Sequence, residues 1–350
     1  MKYVALKDVC KINMGQSPDS SSYNENGEGI PFFQGNADFG ERYPVTRVWC
    51  NAPTKIAQSE DILISVRAPI GALNYSKEKC CIGRGLAAIT PDKSKVSLEF
   101  VYWFLKGKNA ELKSKGTGST FKAISKKILE EILIPDVGFD KQHEYAQMLE
   151  KIYVIIQTRK QGLQKLDELI QSRFVELFGN PISNSYGLPE ATLPELGEFG
   201  RGVSKHRPRN DPRLLDGEYP LIQTGDIANT DLYITLYNST YSELGLQQSK
   251  MWNKGTLCIT IAANIAKTAI LRFDACFPDS EVGFNANERT NNIFIHYWFS
   301  FFQSILESQA AESAQKNINL KILSELKVIV PKKEKQDEFV EFINQLDKSK

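Results

Sequence analysis

Two short turn-like segments carry the side chains best suited to reading a ligand through hydrogen bonds. Gln34 and Asn36 lie in Gln34-Gly35-Asn36-Ala37-Asp38, where side chains project, and Gln223 with Asp226 forms a related group in a later segment. A planar amide or a guanidinium can pair through two hydrogen bonds with the edge of a nucleobase, while cationic groups neutralise phosphates. On that chemistry the candidates in the first half are Gln34, Asn36, Arg67, Arg84 and Lys122. Those in the second half are Gln223, Lys316 and the crowded basic segment of Arg201, Lys205, His206, Arg207 and Arg209. The amides also have a purely structural reading, because such groups hold turns together.

Formal net charge is only +1, so bulk charge does not announce a nucleic-acid partner and the reading rests on local clusters. Lys106, Lys108, Lys113, Lys115, Lys122, Lys126 and Lys127 stand against a single Glu111 between the first and last of them, and Arg213 extends the second cluster. One cluster in each half favours phosphate binding.

Catalytic arrangements are not visible. There is no Asn/Asp-Pro-Pro-aromatic motif to grip an adenine; Asn51-Ala52-Pro53-Thr54 is the nearest approach. No Gly-rich fingerprint or Walker loop is present, so neither S-adenosylmethionine nor ATP is expected as a cofactor. Asp279 with Glu325-Leu326-Lys327 is an acid pair plus lysine, but at long spacing, and His143, His206 and His296 are too scattered for a metal site. Cys10, Cys50, Cys80, Cys81, Cys258 and Cys276 form no Cys-x-x-Cys pair, which predicts reduced thiols in a cytoplasm and no zinc. No apolar run is long enough to span a bilayer, and Met1-Lys2-Tyr3-Val4 gives no sign of a signal peptide.

The elements that must position these groups come twice. The stretch Leu6-Lys7-Asp8-Val9-Cys10-Lys11-Ile12-Asn13-Met14-Gly15-Gln16-Ser17 returns without a gap as Leu193-Pro194-Glu195-Leu196-Gly197-Glu198-Phe199-Gly200-Arg201-Gly202-Val203-Ser204. Ile30-Pro31-Phe32-Phe33-Gln34 is echoed by Tyr219-Pro220-Leu221-Ile222-Gln223, and Asp61-Ile62-Leu63-Ile64-Ser65-Val66 by Gly255-Thr256-Leu257-Cys258-Ile259-Thr260. Ile132-Leu133-Ile134-Pro135 with Lys141-Gln142 matches Val328-Ile329-Val330-Pro331 with Lys335-Gln336. The six cysteines share no place between the copies in this reading. Dense turn signals, short strands at 62–66 and 85–90, and helical spacing at 98–105 and 295–306 predict a mixed α/β (α+β) fold of two duplicated, loop-rich domains.

A different pattern follows each copy. Tyr145, Leu149, Ile152, Ile156, Leu163, Leu166, Ile170 and Leu177 recur in heptad steps over a proline-free run that Gly179-Asn180-Pro181 ends. That predicts a rod of roughly 57 Å over residues 141–178. Phe339, Ile343 and Leu346 continue the seam in a helix of about 25 Å after the second copy. The expected organisation is residues 1–140, 141–180, 181–331 and 332–350.

This order of parts, with Ser172-Arg173-Phe174-Val175-Glu176-Leu177-Phe178-Gly179-Asn180-Pro181 closing the central helix, resembles the specificity subunits of type I restriction–modification systems. The segment 61–71, the pairs Ile134-Pro135 and Val330-Pro331, and the stretch 166–174 carry the resemblance. It implies that each globular part is a target recognition domain reading one half of a split sequence in double-stranded DNA. The helices would pack antiparallel as a coiled-coil spacer between the half-sites. The implied partners are modification subunits, which methylate adenine with S-adenosylmethionine, and restriction subunits, which translocate and cleave; the chain itself would be non-catalytic. Family members carry two helices of similar length, so the short second helix is a departure. It predicts a compensating contact along residues 156–177, from a second copy of the chain or from the modification subunits. A nuclease of unrecognised site and a scaffold without a nucleic-acid role are the competing classes.

Overall fold

The computed structural model describes residues 2–117, 122–262, 264–311 and 318–347. The chain divides into two units, Met1–Arg159 and Lys160–Lys350.

In the first unit, Leu86–Pro91 lies between Cys10–Met14 and Ile62–Ser65, antiparallel to both, and Leu73–Tyr75 closes this four-stranded sheet. Ile62, Leu63 and Ile64 are fully buried, each worth about 1.5–3 kcal/mol of apolar burial. A second, mixed sheet sets Ile30–Phe33 parallel to Cys80–Ile82, with Ile56–Ala57 antiparallel at its edge. A ribbon of Tyr3–Ala5 and Leu133–Pro135 ties the ends of the copy together. The helix Leu98–Gly107 starts where Ser97 Oγ accepts from the Phe100 N–H, and it buries Phe100, Val101, Tyr102, Trp103 and Leu105.

The second unit repeats these pairings. Glu281–Ala286 lies between Gly197–Arg201 and Leu257–Thr260, and Thr268–Leu271 follows. A fifth short strand, Tyr233–Ile234, adds parallel to the last of these. Leu215–Leu221 runs parallel to Ala275–Cys276, with Met251–Trp252 antiparallel beside it. The repeated glycine has a steric cause. A Cβ on Gly15 would sit 2.2 Å from the Gly83 carbonyl oxygen, and one on Gly202 2.2 Å from that of Pro278.

Three alignments read from sequence shift once strands are paired. Ser65 faces Leu86 and Thr260 faces Glu281, so Ser65 corresponds to Thr260, one residue later than the ungapped reading. Both strands are apolar on both faces, and without alternation the sequence does not fix register. Val4 pairs with Ile134 and Ala191 with Val328, so Pro135 and Pro331 are not equivalents; Pro331 lies two residues further along its copy, while the following helices Phe139–Phe178 and Lys333–Asp347 start equally far from Ile134 and Val328. Cys81 and Cys276 do share a place, opposite Phe32 and Leu221. All six cysteines are buried and free.

The central helix is Phe139–Phe178 and the terminal one Lys333–Asp347. Each begins over a buried glutamine. Gln142 Oε1 accepts from the Ser97 N–H (2.8 Å), and Gln336 Oε1 accepts from Thr290 Oγ1 (2.9 Å). Gly179, at φ +73°, ends the central helix with its N–H on the Val175 carbonyl.

The heptad seam is only partly packed. In the second unit Ile170, Phe174 and Phe178 are buried with Phe339 and Ile343, while Leu166, Leu177 and Leu346 are half-buried. Steps of four from Ile170 to Phe178 follow the 3.6-residue turn of a straight helix, which moves the deepest contacts off the heptad line onto two phenylalanines. Tyr145, Leu149, Ile152, Ile156 and Leu163 are exposed. The exposed seam therefore begins earlier in the helix than the 156–177 expected for a compensating contact and overlaps it only at Ile156 and Leu163. No described helix is long and apolar enough to cross a membrane.

Candidate nucleic-acid interface

In the first unit, the turn after Ile30–Phe33 and the turn after Cys80–Ile82 lie against each other. The Gly85 N–H donates to the Gln34 carbonyl at 3.2 Å, and a Cβ on Gly85 would sit 2.3 Å from that oxygen. Asp38 Oδ2 accepts from the backbone N–H groups of Gln34 (2.6 Å) and Gly35 (3.3 Å). A carboxylate thus holds the turn, and the Gln34 side chain is exposed. Arg67 follows the strand Ile62–Ser65, where Ser65 Oγ donates to the Arg67 and Pro69 carbonyls. Its backbone bridges to Ala123, and the Ala68 N–H donates to the Lys122 carbonyl.

Gln34, Asn36, Arg67 and Arg84 consequently line one open hollow of about 440 Å³, with Lys122 on the adjoining strand segment. Arg67, Arg84 and Lys122 are exposed, and among the described residues no carboxylate pairs with them. The lysine cluster beside them is mostly engaged. Lys108 and Lys115 both bind Glu111, whose carboxyl drops to about 2 through their hydrogen bonds. Lys126 and Lys127 pair with Glu130 and Glu131, and Lys106 sits 4.1 Å from the Tyr153 ring centroid. The expectation of a lysine run opposed by Glu111 alone is therefore corrected: pairing at i,i+4 brings in two acids just outside it.

The second unit builds the same turn with opposite electrostatics. Asp226 Oδ2 accepts from the Gln223 N–H at 2.9 Å, and Gln223 Nε2 donates to Ser239 Oγ at 3.3 Å. Arg209, Gln223 and Glu281 are among the residues lining a hollow of about 300 Å³. Arg201 Nε donates to the Asp279 carbonyl at 2.6 Å. Arg207 donates from Nη1 to the carbonyls of Ser204 and His206, and from Nη2 to Asp279 Oδ2. Arg209 makes an ion pair with Asp279 Oδ1, without hydrogen-bond geometry. His206 and Arg213 share Asp211, whose pKa falls far below the usual carboxylate range because Arg213 hydrogen-bonds it. Lys205 is exposed, and Lys316 lies outside the described residues.

Sequence reading weighed Asp279 only with Glu325 and Lys327, not as the partner of Arg201, Arg207 and Arg209, and it missed Glu281. Asp279 occupies the place of Arg84, and Glu281 that of Leu86, in turns closed alike by the Glu281 N–H on the Pro278 carbonyl and the Leu86 N–H on that of Gly83. Glu281 is fully buried, its Oε1 has no partner, and burial pushes its carboxyl up to about 8. The Arg-to-Asp reversal shows only once the strands are paired, because the Gly15 N–H donates to the Leu86 carbonyl and the Gly202 N–H to that of Glu281. Among the described residues no group of three or more His, Cys, Asp or Glu side chains could hold a metal ion.

Comparison with known proteins agrees with the duplication. The family described as the type I restriction modification DNA specificity domain matches residues 1–168 and 190–350. The putative type I restriction enzyme MjaX specificity subunit of Methanocaldococcus jannaschii is 46% identical over 158 residues, 45% of this chain and 37% of that protein. The type I restriction enzyme EcoBI specificity subunit of Escherichia coli is 21% identical over 379 residues, 98% of this chain and 78% of that one. The crystal structure of the type I restriction–modification system S subunit from M. genitalium matches with a TM-score of 0.64 at 15% identity, covering 99% of this chain and 89% of that chain. That likeness concerns the fold alone.

Proposed function

The chain belongs to the type I restriction–modification DNA specificity family, and on that premise we propose that it is the DNA-reading subunit of such a complex. Each duplicated unit reads one half of a bipartite target in double-stranded DNA. The central and terminal helices set the gap between the halves and carry the modification and restriction subunits. Methyl transfer, translocation and cleavage belong to those partners, and this chain does no chemistry of its own. It acts in the cytoplasm.

The observation that carries this reading is the first-unit hollow, where Gln34, Asn36, Arg67 and Arg84 converge and, among the described residues, no acid pairs with the arginines. Amides and guanidiniums at a concave, exposed surface match base edges, and the neighbouring Lys122 suits a phosphate. The basic groups of the second unit serve the other half-site, with Gln223 in the place of Gln34.

Methylome sequencing of cells carrying the modification subunit, with and without this chain, tests the reading. A split adenine-methylated sequence that appears only with the chain is the expected result. Changing Arg67 and Arg84 together to Ala should alter only one half of that sequence. Methylation independent of the chain, or DNA cleavage by the purified chain with magnesium alone, would refute it.

A further inference from the structure

Asp279 is the one place in the repeated turn where the two units carry opposite charge. Its equivalent, Arg84, faces open solvent beside Gln34. Asp279 instead gathers three arginines: Arg207 and Arg209 on its carboxylate, Arg201 on its carbonyl. These arginines are not core braces, because the side chains of Arg207 and Arg209 remain 55% and 47% exposed. A guanidinium on a flexible stem takes the nearest phosphate whatever the sequence. Pinned by a carboxylate, it loses part of its attraction to phosphate and most of its torsional freedom. What it keeps is a directed pair of N–H groups, which fits the adjacent O6 and N7 acceptors of guanine.

Arg207 has Nη1 on two carbonyls and Nη2 on Asp279, so it braces the loop. Arg209 makes its ion pair with Asp279, and it lines a hollow with Gln223 and the buried Glu281, whose charge it also senses. We propose that Asp279 sets base specificity in the second half-site by aiming Arg209 at a guanine edge beside Gln223 and by withholding Arg207 from the phosphate backbone. This rests on the DNA-reading function above and adds to it a residue and a base.

The test compares the full-length parent with Asp279→Asn and Arg209→Ala, each first shown to melt at the parent's temperature. One readout is salt-titrated binding to a labelled random-sequence duplex; the other is the sequence methylated in cells with the modification subunit. Asp279→Asn should bind the random duplex about tenfold more tightly near ~0.1 M salt, with a slope steeper by about 0.9 for each arginine released to a phosphate. It should also lose the preference for guanine at one position of the second half-site while the first half stays intact. Arg209→Ala should lose the same preference without the tighter random binding. If the parent binds DNA and directs methylation but Asp279→Asn changes neither slope nor sequence, this inference alone is overturned, as it is if Arg209→Ala leaves the sequence intact. A parent that neither binds the duplex nor directs methylation overturns the DNA-reading function itself.

Discussion

Phe174 of the central helix meets Phe339 of the terminal helix edge to face, with ring centroids 5.4 Å apart and planes at 88°. Phe178 approaches the same ring at 5.7 Å, and all three side chains are buried. Beside them Arg173 and Glu338 form a 2.6 Å ion pair with side chains 28% and 41% exposed. Apolar burial outweighs the ion pair here. Phe339→Ala should destabilise the second unit by about 3–5 kcal/mol, since a cavity remains among rigid rings. Glu338→Ala should change stability by less than about 1 kcal/mol, because the pair is partly solvated. Denaturant titration of both variants checks the contrast, and equal losses would contradict it.

Glu281 supplies a pH prediction. Burial raises its carboxyl from 4.5 to about 8, so the folded chain keeps a proton that the unfolded chain has released. Its stability contribution is full below about pH 4.5 and is lost as pH rises through about 8. At about 1.4 kcal/mol for each pH unit of that window, the loss amounts to a few kcal/mol. Glu281→Gln keeps the shape and removes the charge, so its stability should depend less on pH than the parent's between those limits. Parallel melting curves for parent and variant across the window would sink the assignment.

Much of this architecture was legible because duplication checks itself. The helix at Leu98–Gly107, the strand at Ile62–Ser65 and the long helix Phe139–Phe178 all lie where periodicity and turn signals place them. Register was not legible where strands are buried on both faces, as the Ser65–Thr260 correspondence demonstrates. The convergence of Gln34, Asn36, Arg67 and Arg84 was legible only as a set of residue types; their meeting depends on two turns more than forty residues apart that Gly85 lets touch. Acidic partners were the weakest part of the reading. Asp279 reaches Arg201, Arg207 and Arg209 across some seventy residues of sequence, a pairing no local pattern encodes.

Tyr145, Leu149, Ile152 and Ile156 are 37%, 41%, 48% and 46% exposed on one helical face, while Phe339 and Ile343 of the terminal helix are buried. An apolar stripe of that kind favours association. Light scattering of the isolated chain should therefore report self-association that Ile152→Asp and Ile156→Asp both reduce, with the modification subunit competing for the same face. Because these side chains are exposed, the variants should fold as the parent does. A monomeric parent indistinguishable from both variants would remove the stripe from consideration as a contact surface.

The central helix as a ruler gives the last prediction. It runs unbroken from Phe139 to Phe178, and Leu163 is exposed, so an insertion after Leu163 meets no packed core at that point. Seven added residues lengthen the helix by about 10 Å and turn the following face by only about 20°. Ile170, Phe174 and Phe178 then keep their contacts with Phe339, since the inserted segment precedes all of them. At ~3.4 Å per base pair, the gap in the methylated sequence should widen by about three base pairs. Two added residues turn the downstream face by about 200° relative to the preceding half of the helix. Partners that grip both halves would then lose one of them, and methylation should stop although the chain still folds. Methylome sequencing reads both variants: an unchanged gap after the seven-residue insertion, or normal methylation after the two-residue one, would mean that the helix does not measure the target.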